Sequence, residues 1–272
     1  MRRSRFALAA GLTLLLAACA AAANLTDPRG PRFAGAGAAA PPAGPVRELR
    51  VVTFNIAYGR HVDRAIRLFR TEPALQHADL IALQEMTDTG TAQFAHALGL
   101  NYAYYPAAVH PRTHAYFGNA ILSPWPLEAD RKLILPRLGS LRGMQRIAVG
   151  ATMRIGARRI RVYSVHLANA GDVGREGQRD QIRAILRDAD ASRQAVVIAG
   201  DMNGHDVGAL FAAQGYLWPT KALGGTFWKF DVDHVFVRGL AAVDRARAGL
   251  AEDRFDASDH RPVWVSAELS AD

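Results

Sequence analysis

The stretch AVVIAGDMNGH, residues 195–205, decides how the chain is read. Ala195 to Ala199 is a run of small and β-branched residues, too short for a helix before the glycine, and it reads as a strand buried on both faces. Gly200 turns it into Asp201, Met202 and Asn203, so a carboxylate and an amide sit where a core strand meets its exit loop. Asp, Asn and Gly also favour turns for backbone reasons, and taken alone this stretch reads first as a plain turn.

Working outward, the same kind of strand recurs. LRVVTFN (49–55), DLIALQE (79–85), GNAILS (118–123), RIAVGATMRI (146–155), RIRVYSVHL (159–167), FDVDHVFV (230–237) and HRPVWVSAEL (260–269) are short apolar runs, the last alternating Val263, Val265, Ala267 and Leu269 on one face. Gly156 predicts a hairpin between the two runs that flank it. Between strands, VDRAIRLFR (62–70), TAQFAHAL (91–98) and REGQRDQIRAILRDA (175–189) carry apolar residues at helical spacing, and a short helix is expected around 207–211. The segment NYAYYPAAVHPRTHAYFG (101–118) reads as an aromatic loop. The expectation is one α/β domain with mixed sheets and helices outside.

Of 272 residues, 50% are apolar and 21% charged, which suits a globular domain with one substantial core. The N-terminus differs in kind. MRRSRF is a basic start, and ALAAGLTLLLAA is apolar but too short to span a bilayer, so residues 1–19 read as an export signal. LAAC (16–19) resembles the bacterial lipobox, in which Cys19 becomes the lipidated first residue; the alternative is an ordinary cleavage site. Cys19 is the only cysteine, so no disulfide forms within the chain. Ala20 lacks the aspartate of an inner-membrane retention signal, which directs the expectation to the outer membrane or periplasmic face of a two-membrane cell. Residues 20–46 are rich in Ala, Gly and Pro and read as a flexible tether, with the folded domain over 47–270. Arg2, Arg3 and Arg5 supply three of the eight net positive charges. What stays on the mature chain suits an anionic substrate but falls short of a dedicated nucleic-acid binder.

Strand after strand ends in a residue able to bind metal or phosphate: Asn55, Glu85, His166, Asp201 with Asn203, and Asp259 with His260 just ahead of the last strand. Each has a plain reading as a strand end, a half-buried histidine or a turn former. Gathered at one rim, they make a site. Hard Mg2+ takes oxygen ligands, for which Glu85, Asp259 and the amide oxygen of Asn55 qualify, while no Cys or His cluster has structural zinc spacing. Phosphate-ester hydrolysis needs an oriented water and donors on the phosphoryl oxygens. Asp201 suits the first task; Asn203, Asn119, His166 and His260 suit the second.

In order along the chain, TFNI, LQEM, GNAILS, VHL, GDMN, DHVFV and SDHRPV resemble the endonuclease/exonuclease/phosphatase superfamily, which includes DNase I, abasic-site endonucleases, bacterial sphingomyelinases and inositol-polyphosphate 5-phosphatases. The resemblance implies a four-layer α/β sandwich, with two mixed, mostly antiparallel sheets face to face. It implies Mg2+ or Mn2+ as cofactor, Glu85 as direct ligand with Asn55 and Asp259 beside it, and His166 on the scissile phosphate or the leaving group. It further implies Asp201 activating the water, Asn203 on the nucleophile or phosphate, His260 stabilising the transition state, and Asp233 orienting His260. Asn119 is similar to a phosphate-positioning amide, and Arg175 with Gln178 to an Arg–Gln pair near the site. Trp228 lies in a loop that often forms the substrate rim, against a reading as surface packing. Val165 stands where threonine is common. His205 and His234 read as peripheral.

The substrate stays open between nucleic acid and a phospholipid or small phosphoester, because specificity on this fold lives in loops. A non-catalytic anion-binding module is the reading from another class; no catalytic position is lost in its favour. A monomer is expected, attached to the membrane through Cys19.

Overall fold

Strands that are apolar on both faces need cover on both sides, and the fold supplies it in four layers. The computed structural model describes residues 22–37, 40–140, 143–240, 247–253 and 255–269; the signal and lipobox reading with Cys19 lies outside them. The chain runs through β1 (Ala23–Asn24), β2 (Phe33–Gly35), β3 (Glu48–Asn55), α1 (Val62–Thr71), β4 (Leu80–Met86), α2 (Asp88–Leu98), β5 (Asn101–Val109) and β6 (Tyr116–Ser123). It continues through β7 (Leu127–Ile134), β8 (Ile147–Ile155), β9 (Arg158–His166), α3 (Ala170–Asp190), β10 (Ala195–Asp201), α4 (Gly208–Ala212), β11 (Asp233–Arg238), β12 (Arg247–Leu250) and β13 (Val263–Glu268).

Eight strands form one sheet, ordered β1-β5-β6-β4-β3-β13-β12 with β2 also on β5, and five form the other, β11-β10-β9-β8-β7. Alternation along each strand sorts its side chains between layers. On β3, Leu49 and Val51 point between the sheets, where Val149, Val162, Val197 and Val235 of the other sheet meet them. Val52 and Phe54 point outward, under Val62, Ile66 and Phe69 of α1 and Phe94 of α2. On the far face Val165, Ile198 and Phe236 pack under Ile182 and Ile185 of α3 and Phe211 of α4.

Each sheet is antiparallel except for one central pair: β3 with β4, and β9 with β10. The C-terminal ends of both parallel pairs reach the same end of the sandwich. A buried polar pin links them: Gln84 Nε2 donates to Ser164 Oγ (3.0 Å), which donates in turn to the Leu83 carbonyl (2.9 Å). Gly200 permits the close approach of β10 to β9, since a Cβ there would run into the Val165 carbonyl.

Two expectations need correction. Residues 101–109 are a strand rather than a loop, paired with β6 along its length; Pro106 is accommodated because the ladder shifts register between Pro106 and Ala108. Residues 22–37 do not trail as a tether. The backbone lies on β5, where Ala23–Asn24 and Phe33–Gly35 pair with it. The Phe33 ring packs on Tyr104 and Tyr116, and Lys132 Nζ donates to the carbonyls of Leu25 (2.9 Å) and Gly30 (2.6 Å).

Candidate active site

Where the two parallel pairs end, a cleft of about 830 Å3 opens, lined by Tyr58, Glu85, Arg146, His166, Asn203 and Asp259 among others. A groove of about 920 Å3 at the opposite end, around Val46, Trp125 and Gly156, pairs its charges as Arg247 with Glu48 and brings no comparable set of acids and histidines together.

The register of the second sheet builds the floor. Asp201 is the Cα partner of His166 on one side and of Asp233 on the other, so three strands deliver chemistry at one level. Asp201 Oδ1 accepts the Asn203 N–H (2.8 Å). Its Oδ2 accepts from Asn55 Nδ2 (3.0 Å) and lies 3.5 Å from His166 Nε2 and 3.9 Å from His260 Nε2. Behind it, His260 Nδ1 and Asp233 Oδ2 are 2.7 Å apart. Ser258 hangs this loop on β3: its hydroxyl donates to the Asn55 carbonyl (2.6 Å) and accepts the His260 N–H (3.1 Å).

The first sheet supplies the acid at the mouth. The β4–β6 ladder shifts register between Leu83 and Met86, and within that bulge Glu85 takes φ +57°, which re-aims its carboxylate. Asn55 Nδ2 (3.4 Å) and the Tyr58 N–H (3.1 Å) donate to it.

Electrostatics divide these groups. Burial, with the nearby Asp233 charge, raises Asp201 above the ordinary carboxylate range. Burial pulls the His260 imidazole down, but Asp233, by charge and hydrogen bond, together with Asp201 and Asp259, more than offsets it and pushes His260 up to about 9. His166 is driven well below its ordinary value by burial, then by Arg146 and His260. At neutral pH the floor therefore holds one imidazolium and one neutral imidazole. Burial also raises Glu85, with Asp259 adding to it and Arg146 opposing it.

A hard divalent cation fits here. Glu85 is a largely desolvated acid beside a second, exposed one, Asp259, in one cleft, and a cation relieves both burial and repulsion. Asn55 fits less directly: its Oδ1 already accepts the Ala57 N–H (3.1 Å), and its Nδ2 spans Glu85 and Asp201, which makes it the brace between two acids. Ligand-type atoms of Asp201, Asp233 and His260 also lie within 4.8 Å of one another, but His260 Nδ1 is already taken up by Asp233 Oδ2 and its raised pKa opposes a second cation at its side.

Two expected site residues are elsewhere, and a third stands on the rim. Asn119 is buried below the floor, its Nδ2 donating to the carbonyls of Ile147 (3.0 Å) and Ser164 (3.2 Å), so it fastens one sheet to the other instead of meeting phosphate. Arg175 is exposed and lies 3.7 Å from Asp206 over a neighbouring groove. Its companion Gln178 is buried, with Nε2 donating to the carbonyls of Ala168 (2.8 Å) and Asn203 (3.3 Å), and supports the loop. Trp228 sits at φ +53° on the tip of a tight turn closed by bridges between Phe227, Phe230 and His260; it is 83% exposed and outside the cleft wall. Asn203 lines the cleft with its Nδ2 donating to the Leu167 carbonyl (2.8 Å).

Arg146 completes the wall, and the strand-end pattern does not reveal it. Its Nη1 lies 2.9 Å from His166 Nε2 and 3.0 Å from Nδ1, a donor to whichever nitrogen bears the lone pair. The signal lies in the hairpin register: Ala148 faces Val165, so two residues earlier the chain reaches His166 and its neighbour. Tyr58 is likewise unforeseen; its ring packs against His110 and Phe117, and Phe117 against His166.

No curated protein sequence matches this one. Solved structures share the fold at low identity. An endonuclease/exonuclease/phosphatase from Beutenbergia cavernae is 20% identical, with a TM-score of 0.66 over 83% of this chain and 72% of that one. Sphingomyelinase C from Streptomyces griseocarneus is 17% identical, with 0.60 over 82% and 100%. The human Nocturnin catalytic domain with bound sulfate is 18% identical, with 0.63 over 83% and 96%. The sequence itself matches the Endonuclease/Exonuclease/phosphatase family over residues 52–260, around the site just described, and the chain belongs to that family of phosphoester hydrolases.

Proposed function

We propose that this chain is a divalent-metal-dependent phosphoesterase, exported and held at the cell envelope through Cys19, that hydrolyses its ester by in-line attack of water. One observation carries the catalytic reading: Asp201 Oδ2 is surrounded by Asn55, His166 and a His260 that Asp233 keeps charged. The raised Asp201 carboxyl is the base that orients water and takes its proton. His260 places positive charge where a phosphorane-like transition state gathers negative charge. Arg146 adds a planar donor for phosphoryl oxygens and, second to burial, helps to keep His166 neutral. Glu85 and Asp259, braced by Asn55, would hold Mg2+ or Mn2+, which when bound would supply a Lewis acid for the phosphate and the leaving oxygen.

A second reading concerns the substrate. The turn Phe227–Phe230 bounds the cleft through Phe227, whose ring packs at 4.8 Å on His260, and presents Trp228 and Phe230 to solvent beside Lys229. Apolar rings with a cation at the mouth of a phosphate site favour a phosphodiester at a lipid surface over one on a long nucleic acid.

The test uses the full chain with supercoiled plasmid, sphingomyelin or phosphatidylcholine vesicles, and a soluble phosphodiester, in Mg2+, Mn2+ or EDTA, with Asp201→Asn alongside. Metal-dependent hydrolysis of at least one substrate, abolished in the variant, supports the reading. Binding of all three without turnover turns it into the anion-binding module. Plasmid nicking with intact vesicles overturns the lipid preference alone.

A further inference from the structure

Beside the catalytic floor, three ligand-type side chains converge that hydrolysis does not use. His205 lies in the loop after β10, and Asp231 and His234 flank the start of β11. They offer ligand atoms within 4.8 Å of one another. His205 Nδ1 is 2.9 Å from Asp231 Oδ2, and His234 Nδ1 is 3.8 Å from Asp231 Oδ1. A tetrahedral ion with bonds of roughly 2.0–2.1 Å holds its ligands about 3.3 Å apart, and these separations straddle that spacing. The carboxylate turns one oxygen toward each imidazole.

The local hydrogen bonding is incomplete. Asp231 Oδ1, the oxygen turned toward His234, is buried without a hydrogen-bond partner, and folded proteins rarely leave such an atom orphaned. His234 is fully buried, whereas His205 keeps 42% of its side chain exposed at the cleft rim and so offers an entry path. Trp218 stands 4.7 Å from the His205 ring and 5.1 Å from the His234 ring, an apolar wall of the kind that strengthens a metal site. Its Nε1–H reaches His234 Nδ1 at 3.2 Å, and that bond is given up when the lone pair goes to an ion. Two imidazoles and a carboxylate form a donor set for a borderline first-row dication, whereas the all-oxygen Glu85 and Asp259 suit Mg2+.

We propose that His205, Asp231 and His234 form a second metal site, separate from the hydrolytic centre, that captures a Zn2+-class ion and ties the loop carrying Asn203 to the start of β11. Capture puts the metal where His205 Nδ1 and Asp231 Oδ2 now meet; the Nδ1 proton passes to Nε2 of the same ring, so the imidazole binds as the neutral ligand. Asn203 holds φ +49° two residues from His205, so an ion at His205 stiffens the backbone that presents the Asn203 side chain to the cleft. The inference does not rest on the hydrolytic reading, and either stands if the other fails.

Co2+ is the probe. The chelator-stripped full chain is titrated with Co2+ in excess Mg2+, which fills the oxygen-ligand centre, and the visible d–d absorption is followed before Zn2+ is added. The expected result is one equivalent with an intense, four-coordinate spectrum that Zn2+ bleaches. His205→Ala, a partly exposed position whose variant should fold, and Asp231→Asn should each weaken binding at least tenfold, roughly the loss of one metal ligand. Glu85→Gln should bind as the parent does. Absence of the spectrum, an unchanged titration in His205→Ala, or loss in Glu85→Gln alone would each overturn the proposal.

Discussion

The floor of the cleft and its Phe227–Phe230 rim obey opposite physics. On the floor, Asn55, His166, Asp201 and Asp233 are polar and almost wholly buried, each held by a partner from another strand or, for Asp233, from the loop ahead of β13. On the rim, Trp228 and Phe230 are apolar and 83% and 55% exposed. A buried polar group is tolerated only where its partners are fixed, so the floor is rigid and its pKa values are set by burial and then by neighbours. An exposed aromatic gains nothing in the free protein, so it belongs to what the protein meets. On the proposed reading the floor carries the reaction and the rim the choice of substrate. The largest expected effect follows: Asp201→Asn keeps shape but removes the base, and kcat should fall about 10^3-fold with KM nearly unchanged. Steady-state kinetics on the best substrate checks it, and a loss confined to KM would move Asp201 from the chemistry to binding.

Next is Arg146, which belongs to the floor by contact yet comes from the loop ahead of β8. Arg146→Ala removes one donor from the phosphoryl oxygens and should lower kcat/KM by about 10^2-fold. Arg146→Lys should recover only part of this, because an ammonium lacks the planar fork. If alanine and lysine behave alike, the guanidinium is only packing on Phe117.

The His260–Asp233 pair predicts a stability difference with a definite sign. Folding raises His260 from an ordinary 6.5 to about 9. Its stabilisation is therefore fully present below 6.5 and is lost as pH rises through 9. A shift of that size is worth about 3 kcal/mol. In EDTA, wild type should exceed Asp233→Asn by most near pH 6 and converge with it by about pH 10, read as urea unfolding at several pH values. A gap that stays constant with pH would mean that Asp233 stabilises by packing alone.

Much of the floor was legible because strand ends announce themselves. A buried apolar run that stops at Asn, Glu, His or Asp must leave that side chain at a sheet end, and Asn55, Glu85, His166 and Asp201 are found there. What local pattern does not encode is which element lies across. Asn119 ends up under the floor because β8 and β9 offer it carbonyls, a fact of sheet stacking and not of the sequence around it. Residues 101–109 hide a strand because Pro106 and a scatter of tyrosines mask the alternation, while the bulge that tolerates the proline depends on β6. Residues 22–37 look featureless since their order is borrowed from β5 and Lys132.

The smallest effect tests the rim. Trp228→Ala removes a ring that touches little of the protein, so stability should change by no more than about 0.5 kcal/mol. Turnover of a soluble phosphodiester should be unaffected, since the floor is intact. On vesicles the apparent KM should rise roughly fivefold, equivalent to about 1 kcal/mol of apolar surface withdrawn from the bilayer. Phe230→Ala should act in the same direction but less, being the more sheltered ring. Vesicle sedimentation without turnover separates docking from catalysis: weaker binding with an unchanged kcat keeps the rim and the floor as independent parts. A fall in kcat on the soluble ester would mean that Trp228 acts inward through Phe227, whose ring lies against His260, and the division between floor and rim would then be wrong at that turn.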